Sequence, residues 1–177
     1  MGELALDSNM HSCMSYVSLQ IEYTEGMTMF DGEHYESKYI TFHRPSEHFI
    51  SAKQFELELQ VHHVHILDAS KRLAVVVMFV LSMNDNLLLE ELEFDDLPTR
   101  AGDSKVLSAP FNLEHGMPMN PDYFVYDGSL TQPPCTEGVK FVVLNERPTL
   151  SAKQVDNDTT PLVIAALQFC QSLLSVQ

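Results

Sequence analysis

The sequence predicts a mainly β chain with some α/β mixing, built on a central, mostly antiparallel twisted sheet. Residues 15–23 (SYVSLQIEY) and 55–66 (FELELQVHHVHI) alternate apolar and polar side chains with period two, which gives a strand two unlike faces. Residues 73–82 (LAVVVMFVLS) form an unbroken apolar run between KR and MND, as in a strand buried on both faces. With 177 residues and 45% apolar side chains, the chain can fill one ordinary core.

In the first strand Val17, Leu19, Ile21 and Tyr23 oppose Tyr16, Ser18, Gln20 and Glu22. In the second, Phe55, Leu57, Leu59, Val61 and His63 take one face, and Glu56, Glu58, Gln60, His62 and Val64 the other. DASKR at 68–72 has the polar composition of a hairpin connection to the apolar run. Residues 86–97 (NLLLEELEFDDL) predict a helix, with Asn86 to cap it, acidic early turns and Pro98 to end it. The Pro, Gly, Asn and Asp content of 99–138 predicts mostly loop, and VKFVVL at 139–144 another strand. After Asp158 no charge remains. Thr160 and Pro161 then signal a helix start, and Gln168, Gln171, Ser172 and Ser175 form one polar stripe. The expected division is a sheet domain over 1–158 and an uncharged amphipathic helix over 159–177.

Twenty-five acidic against ten basic side chains give a net charge of −15. Such a surface repels phosphates, so nucleic acid is not an expected partner. No run reaches the roughly 20 apolar residues of a spanning helix. The N-terminal MGELALDSNMHS shows no signal-peptide pattern. Cys13, Cys135 and Cys170 are too widely spaced for a zinc knuckle or a CxxC redox motif.

Eight histidines draw attention, above all HHVH at 62–65. Alternation puts His63 and His65 on one face and His62 on the other. Two imidazoles are too few for a zinc site, which uses three or four ligands.

Longer segments are more specific. SNMHS (8–12), FHRPSEH (42–48), ELELQVHHVH (56–65) and YDGSLTQPPCTEGVKFVVL (126–144) occur in an order and spacing that resembles the α-class carbonic anhydrases. The resemblance covers about residues 8–154. It implies that family's sheet, shortened at both ends. It also implies a site where three histidines hold zinc, zinc acidifies a water, a threonine held by a glutamate orients the hydroxide, and a distant histidine moves the proton.

Carried over by residue, the resemblance gives a divided answer. One zinc-histidine position is kept, at His43. The other two fall on Thr41 and Gln60. Thr131 matches the orienting threonine, Glu47 its glutamate and His11 the proton shuttle. Glu58 and His48 match groups behind the ligands. Val75, Leu130, Gln132, Val139 and Phe141 match the pocket wall. Thr and Gln oxygens are poor zinc donors beside imidazole, so the implied protein resembles the zinc-ligand-deficient carbonic anhydrase-related proteins. It would need no cofactor and act as a structural or interaction subunit, with protein partners at the C-terminal helix and an exposed sheet edge. The alternative is an active zinc carbonic anhydrase with a rearranged site using His43 and His62. Cys135 matches a cysteine whose usual partner segment is not recognisable here, so the expectation is an unpaired thiol or a bond to another polypeptide.

Overall fold

The computed structural model describes residues 3–9, 16–24, 26–98, 103–119, 122–132, 134–155 and 175–176. In chain order the strands are β1 (Glu3–Asn9), β2 (Tyr16–Glu22), β3 (Met27–Phe30), β4 (Glu33–His43), β5 (Phe49–Ile50), β6 (Leu57–His65) and β7 (Arg72–Ser82). Helix α1 (Leu87–Glu91) follows, then β8 (Ser104–Val106), a 3₁₀ turn at Leu113–Gly116, β9 (Tyr123–Ser129), β10 (Glu137–Leu144), β11 (Thr149–Ser151), α2 (Ala152–Val155) and β12 (Ser175–Val176).

Ten of these strands form one sheet, in the order β8-β1-β2-β4-β6-β7-β10-β9, with β3 beside β4 and β11 beside β7. Most pairings are antiparallel, while β10 and β11 run parallel to β7. The mainly β, mixed twisted sheet expected from the sequence is therefore the architecture found. Asp31 and Gly32, at φ 51° and 75°, turn β3 into β4, the positive-φ pair that a two-residue hairpin favours.

The apolar run of β7 is buried on both faces, as its composition predicts. Leu73, Val77 and Phe79 join Leu59, Val61 and Leu88 in the larger core behind the sheet. Ala74, Val76 and Met78 join Val139, Phe141 and Val143 in a smaller core on the front. β6 departs from the expectation of a wet polar face: Glu58, Gln60 and His62 are buried too.

Two elements are corrected. The helix expected over 86–97 lasts only from Leu87 to Glu91, with Asn86 Oδ1 capping Leu88 N–H. Beyond it Glu93 takes φ 50°, because Leu92, Phe94 and Leu97 all turn into the core. The segment 99–138 is less irregular than its composition suggests. It contains β9, whose Tyr-Phe-Val-Tyr run has strong strand preference, besides β8 and the 3₁₀ turn. The tail helix expected over 159–177 lies outside the described residues, except that Ser175–Val176 are strand and pair in parallel with Phe49–Ile50.

Candidate active site

β4 and β6 are antiparallel, and their register sets Tyr39 opposite His62, Thr41 opposite Gln60, and His43 opposite Glu58. Residues two apart share a face, so all six point forward. The two positions that the resemblance assigns to missing histidines are thus direct cross-strand neighbours. Leu130, Thr131 and Gln132 close over them, and with Tyr39, Thr41, His43, Gln60 and His62 they bound a cavity of about 20 Å3. That is room for about one water.

Buried polar groups need partners, and here they satisfy one another. Thr41 Oγ1 lies 3.1 Å from His62 Nε2 and 3.2 Å from His43 Nε2. One hydroxyl carries one proton, so it donates to one imidazole and accepts from the other. His62 stacks on Tyr39, with ring centroids 4.5 Å apart. Burial first, then the charges of His43 and His63, push the His62 pKa down to about 3. His62 is therefore neutral at pH 7. His43 Nδ1 lies 3.4 Å from Glu47 Oε1 but has no hydrogen-bonding partner among the described residues.

A second network begins at Gln60. Its Nε2 donates to Glu58 Oε1 at 2.6 Å and to Glu47 Oε2 at 3.1 Å. Glu47 Oε2 also accepts from Thr131 Oγ1 at 3.0 Å. Glu58 accepts from the His48 backbone N–H at 2.9 Å and pairs with His48 Nδ1 at 2.8 Å. His48 Nε2 reaches the Tyr126 hydroxyl at 2.6 Å. Burial opposes charge on both His48 and Glu58, but their mutual attraction outweighs it. The His48 pKa is raised and the Glu58 pKa lowered. Tyr126 is pushed up, mainly by burial and then by the two carboxylates.

This donor set does not fit a three-imidazole metal site. The Thr41 hydroxyl sits between the two imidazole nitrogens that face the cavity, and the Gln60 amide N–H groups face carboxylates. No group of three or more His, Cys, Asp or Glu is placed to hold a metal among the described residues.

Other expected positions are divided. Leu130 and Gln132 line the cavity. Val75 does not: it lies on the back face, against a different cleft. Its neighbour Val76, opposite Gln60, faces the front instead, because one residue along a strand reverses the face. Val139 and Phe141 belong to the front core, where Phe141 stacks on Tyr126 with centroids 5.0 Å apart. His11 lies outside the described residues. Cys135 is disulfide-bonded, which overturns the expectation of an unpaired thiol. Cys13 and Cys170 lie outside the described residues. Tyr39 and Tyr126 were missed as site residues. Tyr39 is two residues before Thr41, so alternation counted from the position that the resemblance assigns could have found it.

The family profile described as "Eukaryotic-type carbonic anhydrase" matches residues 2–163. A carbonic anhydrase of Neisseria gonorrhoeae is 33% identical over 144 residues, 80% of this chain and 55% of that protein. Dioscorin DB3S of Dioscorea polystachya is 28% identical over 151 residues, 85% of this chain and 56% of that protein. The Photobacterium profundum α-carbonic anhydrase structure superposes with a TM-score of 0.76 at 29% identity, covering 88% of this chain and 67% of that one. The chain thus spans little more than half the length of these curated relatives. With the family's segments in order, its sheet, and a profile match over nearly the whole sequence, the chain belongs to the eukaryotic-type carbonic anhydrase family.

Proposed function

We propose that this chain is a zinc-ligand-deficient member of its family, does not hydrate carbon dioxide, and acts as a structural or interaction subunit. The observation that carries this reading is the fate of Thr41 and Gln60. They face each other across the strand pair at the assigned ligand positions, and both are tied into hydrogen bonds with neighbouring side chains. A structural zinc site is worth about 10–16 kcal/mol of apparent binding energy, most of it from strong donors. With imidazole only at His43 and His62, much of that is lost. His43, Glu47 and Thr131 then form a polar pocket, and Glu47, Thr131 and His11 keep family positions without the reaction.

The test restores what is missing. Thr41→His with Gln60→His should take up about one zinc per chain, whereas the natural chain treated alongside should take up none. If the double variant folds and still fails to bind zinc, the assignment of these two positions is wrong.

A second reading has one observation in its favour: His62 shares the cavity with His43. An active zinc enzyme using both is the alternative. It expects one zinc per natural chain and carbon dioxide hydration lost in both His43→Ala and His62→Ala.

A further inference from the structure

The connection between β9 and β10 forms one wall of the polar cavity. Ser129 and Glu137 pair at its base, and Leu130 N–H donates to the Thr136 carbonyl at 2.9 Å. Leu130, Thr131 and Gln132 bound the cavity, and Thr131 Oγ1 donates to Glu47 Oε2 at 3.0 Å. Cys135 N–H closes the turn on the Gln132 carbonyl at 2.8 Å. Because Cys135 is disulfide-bonded, a covalent tie stands one hydrogen bond away from the cavity wall.

Cys135 has φ 54°. A residue with a β-carbon enters this left-handed region at a cost, and glycine is its usual occupant. Surrounding structure must hold such a residue in place. The hydrogen bond to Gln132 and the disulfide both act in that sense. Cys135 itself is half-buried, while Pro134, Glu137 and Gly138 beside it are exposed, so a reductant reaches the turn. Disulfides that are exposed or anchored on strained backbone are the labile, regulatory ones.

We propose that the Cys135 disulfide is a redox-sensitive clamp on the wall of the polar centre. While the bond stands, Cys135 stays left-handed, its N–H holds Gln132, and Leu130, Thr131 and Gln132 stay closed over His43 and His62. When the bond is reduced, Cys135 relaxes to negative φ, its N–H leaves Gln132 and the wall loosens. The step is thiol–disulfide exchange with a dithiol donor. One donor thiolate attacks the bond and forms a mixed disulfide, the second displaces the remaining cysteine, and the donor leaves as its own disulfide. Two electrons and two protons pass to the two cysteine sulfurs. The clamp regulates the same centre as the proposed function, and none of its readouts depends on zinc, so the two can fail separately.

The test compares the full chain before and after dithiothreitol, with new thiols labelled and located by mass spectrometry. Hydrogen exchange is followed at the Leu130 and Cys135 amides and, as a reference, along β6 and β7. Acylation of His43 and His62 by diethyl pyrocarbonate reads access to the cavity. On reduction both amides should exchange at least tenfold faster and both imidazoles react at least tenfold faster, while β6 and β7 keep their protection within about twofold. Reoxidation should reverse the change. Cys135→Ser should behave like the reduced chain and ignore dithiothreitol. If that variant does not fold, the response of the natural chain, with Cys135 among the newly labelled thiols, decides. Unchanged exchange and acylation on reduction would overturn the proposal. So would loss of protection throughout β6 and β7, which would make the bond a staple of the whole fold, or a dithiothreitol response that persists in Cys135→Ser.

Discussion

Two buried histidines on the same side of the sheet respond to pH in opposite senses. Folded His62 has a pKa of about 3 against an ordinary 6.5. Between those values the unfolded chain binds a proton that the folded chain refuses. Stability therefore falls as pH drops below 6.5, by up to about 1.4 kcal/mol per pH unit for one proton. His63, lowered mainly by burial, acts in the same sense. His48 is raised, so its contribution is complete below 6.5 and fades as pH rises through its folded pKa. Glu58 is lowered, so its contribution holds above the ordinary carboxyl range and is lost in acid. Urea unfolding at pH 7, 6 and 5 should show declining stability, and His62→Phe should flatten the decline. An unchanged slope in the variant would contradict the assignment. His48→Ala leaves the Glu58 carboxylate buried without its counter-charge, and breaking a buried pair costs about 3–5 kcal/mol. A loss below about 1 kcal/mol on denaturant unfolding would show that the pair is not held as described.

Strands with a strict pattern were legible. The alternation of β6 and the apolar run of β7 marked both strands, and the polar loop between them marked their hairpin. What alternation could not reveal was that the polar face of β6 is buried. That depends on Leu130 and Thr131, which arrive from a loop some 70 residues later. Helix α1 shows the reverse error. Its apolar residues continue past Glu91, but they reach the core through turns rather than helix. β9 was hidden by the loop-forming residues around it. The site residues on β4 were found through the resemblance, since the mixed polarity of EHYESKYITFH does not announce a strand. Asn86 caps α1 and also bonds the Thr149 carbonyl. Replacing it by alanine should cost at least the roughly 0.5–2 kcal/mol of a lost cap, read as a lower midpoint in denaturant. An unchanged midpoint would mean that the cap contributes nothing. Leu59→Ala, at a fully buried position in the back core, should cost about 2–5 kcal/mol. A smaller loss would place the main core elsewhere.

The whole chain sets one polar centre in a family sheet. Its front face carries a cavity of single-water size enclosed by mutually bonded side chains, and its back face carries a larger, mainly apolar cleft. Glu58 and His48 also have a structural role: they connect β6, the turn after β4 and Tyr126 on β9. That role in holding strands together needs no cation. The same geometry leaves Thr41 and Gln60 as the decisive pair. The most direct measurement is the metal content of the natural chain, purified without added zinc and then dialysed against a stoichiometric excess of it. Fewer than about 0.1 zinc ions per chain is the predicted result, rising to about one in Thr41→His with Gln60→His. One tightly held zinc per natural chain, lost on His43→Ala, would contradict the account.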